Sequence, residues 1–351
     1  MIQPASPVRS YNEWDPLEEV IVGVADGATV PPWHPILTVT MPDDQQDFLR
    51  AAGGRPFPAE VIDRARRDLD GFAALLEREG VTVRVPARVD HARPFSTPDW
   101  ESPSGLYAAM PRDVLLVVGD EIIEAPMAWR CRYFESHAFR PLIAEYFRAG
   151  ARWTAAPRPA LTDALYASSG HDSRFFVGEQ EPTFDAADFV RCGDHVFGQR
   201  SHVTNAFGIE WLRRHLAPEY RVVEIETADA HPMHIDATLM PLAPGKLLAN
   251  PERLPVVPPH FRDWEVLYAP PPAAGDRVLY MSSAWVSMNV LSLDERRVVV
   301  ESRETELMDA LRGWGFEPVP CSFRGFNALG GSFHCATADV RRRGELQSYF
   351  G

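Results

Sequence analysis

Cysteine is scarce in this sequence, and what there is has no pattern: Cys131, Cys192, Cys321 and Cys335 form no C-x-x-C pair and no regular framework. That spacing speaks against a structural zinc site and against a disulfide scaffold. No apolar run approaches the ~18 to 20 residues that span a bilayer, so no membrane partner is expected. The opening Met1-Ile2-Gln3-Pro4 lacks the basic-then-apolar pattern of a secretory signal, which points to a cytoplasmic protein. Positive charge is also short: 35 Lys and Arg stand against 49 Asp and Glu, a formal charge of -14. A phosphate backbone would be repelled by that balance, so no nucleic acid is expected as a partner. Arg341-Arg342-Arg343 is the one basic cluster, read as a solvated strand end or an ion-paired face. With 45% hydrophobic and 24% charged residues, the 351-residue chain has the composition of a folded globular protein with a substantial core.

Against these absences stands Gly330-Gly331-Ser332-Phe333-His334-Cys335, followed by Ala336-Thr337-Ala338-Asp339-Val340. A thiol is the strongest nucleophile among side chains, and small residues ahead of it let backbone and substrate approach closely. An isolated cysteine is more often a buried structural residue, so Cys335 gains weight only from its company. Phe184-Asp185-Ala186-Ala187-Asp188 and Met233-His234-Ile235-Asp236 offer a base and carboxylates that tertiary structure could bring to it. His334 is not expected to join Cys335 on one ligand, because neighbours on a strand face opposite sides.

The chain between is patterned. Residues 18–24 read as an opening strand, followed by a Pro-rich irregular region up to about Pro58. Val61, Ala65, Leu69, Phe72, Ala73 and Leu76 recur at helical spacing before Gly80, and a strand follows at 81–85. From Asp113 a unit of polar residue, apolar strand, tight turn and second strand appears; Asp188, Asp236 and Asn289 head similar units. Helix-like stretches lie between them at 129–149, 205–216 and 304–314. The leading polar residues, continued to Cys335, are separated by 75, 48, 53 and 46 residues, a degenerate repeat of period near fifty. A ring of such α/β units would bring Asp113, Asp188, Asp236, Asn289 and Cys335 to one central cavity. The same pattern would also fit an ordinary mixed sheet, in which each acid is a turn residue.

A cavity holding carboxylates, a thiol and a histidine suits a planar cation. A guanidinium fits: carboxylates accept its N–H pairs and orient it, leaving its central carbon facing the thiol, while histidine handles protons. On this reading Asp188 is favoured over Asp185 as the acid behind the histidine.

Longer stretches carry a resemblance. Residues 11–23 (YNEWDPLEEVIVG), 109–113 (AMPRD), 121–130 (EIIEAPMAWR), 184–189 (FDAADF), 208–218 (GIEWLRRHLAP), 232–238 (PMHIDAT) and 332–335 (SFHC) together are similar to the arginine amidinotransferases. The likeness runs from about Tyr11 to Gly351, nearer to the arginine:glycine enzymes than to the arginine:inosamine-phosphate ones. It implies a five-fold pseudo-symmetric α/β propeller, the pentein fold, as a single domain over 1–351 that works as a homodimer without cofactor or metal. Its partners would be small molecules, L-arginine and an amine acceptor. It implies that Cys335 is the nucleophile that becomes amidinated, His234 the general acid/base and Asp185 the carboxylate orienting it, displacing Asp188 to a secondary place. Asp113 and Asp236 would clamp the guanidinium, Arg253 would bind a carboxylate, and Ser282 and Ser283 would contact substrate.

Two positions depart from the family's pattern: His231 replaces an Asn, and Ser332 replaces a glycine of a Gly-Gly-Gly-Phe-His-Cys run. Ser332 is compatible if its backbone angles suit a non-glycine residue. Met233 favours a small acceptor such as glycine, giving guanidinoacetate and ornithine, and His231 is expected to point outward. Lysine or an inosamine phosphate is the alternative acceptor, and an arginine-deiminase-like guanidine hydrolase the alternative reaction. The stretch Tyr166 to Gln180, short beside vertebrate forms, fits a bacterial-type cytoplasmic enzyme.

Overall fold

The tight turns decide the sheets. Gly119 and Gly193 sit in left-handed backbone at φ 59° and 70°, between a strand of four buried residues and its antiparallel partner. At Gly193 a side chain is excluded outright, since a Cβ would lie 1.9 Å from the carbonyl oxygen of Gln347. The result is a hairpin of Leu115–Val118 with Glu121–Glu124, and another of Phe189–Cys192 with His195–Gly198. Each then gains a third strand in parallel, Arg152–Ala155 and Arg221–Glu224, after a crossover through the helices Arg140–Arg148 and Ala206–Leu216. Asn205 caps the second helix, its side chain accepting from the Gly208 N–H at 2.8 Å.

The structure is a computed structural model that describes residues 6–166, 174–275, 278 and 280–350. Part of the 166–180 stretch singled out above, residues 167–173, lies outside the described residues. Two further sheets repeat the plan: Leu239–Ala243, Lys246–Ala249 and Glu265–Tyr268, then Leu291–Ser292, Arg297–Glu301 and Glu317–Cys321. The remaining module joins the two ends of the chain, with Thr337–Arg342 antiparallel to Leu17–Val22, which pairs in parallel with Thr82–Arg84. Its crossover helix, Ala59–Arg78, buries Val61, Ala65, Leu69, Phe72, Leu75 and Leu76, the face the spacing predicts. Five sheets of one design are the five-fold α/β propeller expected from the sequence. The turns that lead into successive modules, Pro111–Val114, Ala186–Asp188, Ile235–Ala237 and Ala284–Met288, pack against one another in that order. Among the described residues no helix is long and apolar enough to cross a membrane.

One element differs from the sequence reading. Residues 129–149 form short 3-10 turns at Arg130–Arg132 and Glu135–Ala138 before an α-helix that begins only at Arg140. A helix through the whole stretch would hold Pro141 in its interior, where its ring clashes with the preceding turn; starting at Arg140 places it in the first turn, where no N–H is missed. The shorter turns also bring Arg132 and Glu135 inside, both fully buried.

Beneath the ring lies a buried ionic network. Asp339 accepts from Arg112, from Arg191 Nη2 at 2.8 Å and from Arg342 Nε at 2.7 Å. Glu13 takes Arg191 Nε at 2.8 Å and Nη2 at 2.6 Å. Of the basic cluster, Arg342 is thus part of the interior while Arg341 pairs with Glu18 and Glu19, so its ion-paired reading holds. Burial pushes both carboxyls up, but the surrounding guanidinium groups outweigh it and hold Asp339 and Glu13 well below the usual carboxylate range. Depressed folded values mean that this stabilisation is present above the unfolded-state pKa of about 4 and lost as pH falls through the folded one. Asp339→Asn leaves three buried guanidinium groups with one acid fewer. It should lower stability by about 3–5 kcal/mol at neutral pH and flatten the loss below about pH 4, as read by urea denaturation.

Candidate active site

Cys335 does not lie on a strand. It sits in the turn Phe333–Ala336 that precedes Thr337–Arg342. Gly331 permits this turn, because a Cβ there would come 2.7 Å from the Cβ of Cys335 and 2.8 Å from Met110 Sδ. Ser332 is outside the left-handed region, so a non-glycine residue is accommodated as expected. Asn289 holds the turn from across the ring, its Oδ1 accepting from the N–H of Cys335 at 3.0 Å and of Ser332 at 3.2 Å. Its Nδ2 donates to Cys335 Sγ at 3.0 Å, and the thiol donates to Asp236 Oδ2 at 3.4 Å.

The turn also corrects the expectation that His334 and Cys335 face apart. His334 Nδ1 meets the same Asp236 Oδ2 at 2.9 Å, and its Nε2 meets Glu13 Oε2 at 3.2 Å. Away from a strand, adjacent residues lose the alternation that drove the expectation. His334 therefore ties Asp236 to the ionic network below. Burial raises the Asp236 carboxyl, but hydrogen bonding to His334 and the charges of His334 and His234 outweigh it and hold it below its ordinary value.

His234 is held on the other side of the thiol. The donor atoms of Asp113, His234 and Cys335 lie within 4.8 Å of one another. His234 Nε2 is 3.2 Å from Asp185 Oδ2 and Nδ1 is 3.7 Å from Asp113 Oδ1. Its backbone, at φ 60° and ψ 123°, is in a region that non-glycine residues rarely adopt, a local strain at the point where the ring enters the site. Burial opposes charge on this ring, but Asp113, Asp185 and the thiol outweigh burial and hold its pKa well above 6.5. The thiol is pushed up to about 12, chiefly by burial and by Asp236. The resting pair is thus a neutral thiol beside an imidazolium. An imidazolium has two N–H donors and no free lone pair, so in this state His234 is a proton donor.

Asp188 is not in this group. Its carboxylate accepts from Gln199 Nε2 at 3.0 Å, Ser201 Oγ at 2.6 Å and Thr204 Oγ1 at 2.5 Å, and it does not line the cavity. It heads its strand as the repeat predicts, but inside its own module; Asp185, three residues earlier, is the acid that meets His234. The carboxylate preferred from the residues alone is therefore bonded within its own module.

The cavity above Cys335 has a volume of about 710 Å³. Asp113, Asp236, Asn289 and Cys335 line its buried floor, with Arg132 among them. Arg132 Nη1 donates to Asp113 Oδ2 at 2.9 Å and pairs with Glu135 and Asp185, which leaves Asp113 Oδ1 buried without a hydrogen-bond partner. Met233 packs partly buried on the wall, and exposed His231 stands at the mouth. Also at the mouth are Arg253, Ser282 and Ser283, with Arg253 Nη2 donating to Ser283 Oγ at 3.2 Å. The segment from Thr38 to Gln45, within the region read as irregular, forms another side of the entrance.

No family model matches the chain. An L-arginine:L-lysine amidinotransferase of Pseudomonas savastanoi pv. phaseolicola is 54% identical over 351 residues, spanning 98% of this chain and 97% of that protein. The chain belongs to the amidinotransferase family. The mitochondrial glycine amidinotransferase of Danio rerio is 49% identical over 359 residues, spanning 98% of this chain and 85% of that one. Among solved structures, the amidinotransferase SxtG of Microseira wollei, from the saxitoxin biosynthetic pathway, superposes with a TM-score of 0.92 at 54% identity over 98% of this chain and all of that one. The inosamine-phosphate amidinotransferase of Streptomyces griseus gives 0.90 at 38% identity, over 99% and 100%. A dimethylarginine dimethylaminohydrolase shares the fold at 14% identity and a TM-score of 0.59, over 92% and 98%.

For this amidinotransferase, the repeat was expected to bring Asp113, Asp188, Asp236, Asn289 and Cys335 to one cavity; all but Asp188 line it, and His234 lines it with them. Sequence reasoning missed Arg132, Glu13 and His334. The signal available was charge inside an apolar context, Arg132 between Cys131 and Tyr133, but nothing local distinguishes a buried arginine from an exposed one.

Proposed function

We propose that this amidinotransferase moves the amidino group of L-arginine to the primary amine of an acceptor by way of a covalent amidino-Cys335. The observation that carries the proposal is the floor geometry: a thiol with an imidazolium and Asp113 on one side and Asp236 on the other. Asp113 Oδ1, buried without a hydrogen bond and 3.7 Å from His234 Nδ1, is the acceptor a guanidinium N–H would fill. Burial and the acids keep the thiol protonated, and the arriving cation offsets the acids; the thiol then releases its proton to water at the open cavity, and the Nδ2–H of Asn289 caps the thiolate. Sγ forms a bond to the guanidino carbon. The bond from that carbon to arginine Nε breaks, and that nitrogen leaves as the side-chain amine of ornithine with a proton from His234. The neutral imidazole next takes a proton from the acceptor amine, whose nitrogen attacks the amidino carbon and expels the thiolate.

Arg253, with Ser283 on its guanidinium, is placed to hold the carboxylate of an amino-acid substrate. Glycine as acceptor rests on Met233 narrowing the wall and on the name of the relative from Danio rerio. Lysine rests on the name of the relative from Pseudomonas savastanoi. Likeness does not choose between them. The test is arginine with a panel of amines, with products weighed by mass spectrometry: ornithine and an amidinated amine support transfer, whereas citrulline would show a hydrolase.

The clamp gives a sharper expectation, because its two effects have opposite signs. Asp113→Asn or Asp236→Asn removes a charge-assisted hydrogen bond worth about 1.5–3 kcal/mol, so kcat/KM for arginine should fall about ten- to hundredfold. Both acids also raise the thiol pKa, so the same variants should alkylate faster with iodoacetamide. Loss of both properties together would mark a folding defect instead.

A further inference from the structure

Asp229 stands at the mouth of the cavity, 8% exposed, beside Arg253. One of its oxygens is satisfied, Oδ1 accepting from the backbone N–H of His231 at 2.9 Å. The other, Oδ2, lies 3.1 Å from Arg253 Nε as an ion pair, yet accepts no hydrogen bond. A carboxylate oxygen nine-tenths buried that has an ionic partner but no hydrogen bond can still take one from a second donor. The two loop segments are tied together, the Ala228 N–H donating to the Arg253 carbonyl at 2.8 Å, so anion and cation are held close.

An acid and a guanidinium side by side, both facing one cavity, match the two charges on the α-carbon of an amino acid: carboxylate to Arg253, ammonium to Asp229. On the amidinotransferase reading above, we infer that Asp229 is the anchor for the α-ammonium group of the substrates and so selects an α,ω-diamino acid as acceptor. Arginine held this way places its α-carbon at the mouth and its guanidinium on the floor, and ornithine leaves from the same pose. An acceptor that enters the vacated site must then offer its reacting amine at the far end of a chain while its α-ammonium stays on Asp229. Glycine cannot do both, since its one amine is the group that reacts. On this inference the acceptor is of the lysine type, in place of the glycine that Met233 suggested.

The discriminating compounds lack only the α-ammonium: δ-guanidinovalerate beside arginine as donor, and ε-aminocaproate beside lysine as acceptor. In the native protein, single-turnover amidination of Cys335 by arginine should exceed that by δ-guanidinovalerate about ten- to hundredfold in kcat/KM, the effect of one charge-assisted contact. Lysine should exceed ε-aminocaproate, and glycine, by a similar factor in discharging amidino-Cys335. Asp229→Asn should remove most of each preference by lowering the values for arginine and lysine, while those for the des-amino compounds change far less. Equal losses for both members of a pair would show that Asp229 merely props Arg253, and the inference would fall. So would a native protein that does not distinguish the pairs, or that discharges fastest to glycine. A Cys335 that no donor amidinates would instead defeat the transfer reading, and the anchor is then read by binding alone. Ornithine should raise the melting temperature of the native protein more than δ-aminovalerate does, and no more in Asp229→Asn; equal shifts in the native protein would overturn the anchor too.

Discussion

Arginine mixed with this protein in the absence of any acceptor should release about one equivalent of ornithine per active site and then stop. Intact-mass spectrometry should find Cys335 heavier by one amidino group, and lysine added afterwards should restore the unmodified mass. The expectation follows from having one thiol and one proton-transfer group for both halves of the reaction: among the described residues the cavity is lined by no second thiol, so the amidino group rests on sulfur between substrates. Cys335→Ala should bind arginine yet release no ornithine. It removes the nucleophile while leaving Asp113 and Asp236 in place, so the loss is in chemistry and not in binding. Continuous release of ornithine without an acceptor, or full transfer by a protein whose Cys335 never gains mass, would refute the covalent route.

The second large effect is expected at His234. Replacing it by Gln keeps a hydrogen-bonding side chain toward Asp185 but removes the proton donor and acceptor, which should lower kcat by about 10² to 10⁴ with much less change in KM. The pH dependence of alkylation separates this role from a scaffolding one. His234, charged well above its ordinary pKa, lowers the thiol's pKa, while burial and Asp236 raise it to about 12. In the native protein, iodoacetamide should therefore react faster as pH rises, because the thiolate fraction grows. In His234→Gln the whole profile should shift to higher pH, since the favourable cation is gone. An unshifted profile would mean that the imidazole is neutral at rest.

The positions of the strands were readable because their causes are local. Gly119 and Gly193 mark turns by their own conformational freedom, and four-residue apolar strands on either side leave little else for the chain to do. The repeat then put a polar residue at the head of each module, and four of the five reach the cavity. Asp188 shows where such reasoning ends. Asp185 and Asp188 flank a single 3-10 turn, and which of them faces the histidine depends on how that turn is rotated, a matter settled by Ser201, Thr204 and Gln199 from a later part of the same module. Arg132 was missed for a related reason: it is drawn in by Asp113, Glu135 and Asp185, two of which lie outside any sequence window around it.

From its own residues the chain determined a repeated hairpin pattern, open to a ring or a mixed sheet until the family resemblance chose the ring, and the chemistry on offer, a thiol, a histidine and a set of carboxylates, because turns, strand alternation and residue type act over a few positions. Only the tertiary structure decided how those groups are charged and which of them touch. The closing module pairs Leu17 with Arg342, Cys335 finds Asn289 and Asp236 across the ring, and His334 reaches Glu13 near the other end of the chain. Protonation at such a site depends on burial and on charges a few ångströms away in space, and residues hundreds of positions apart supply both.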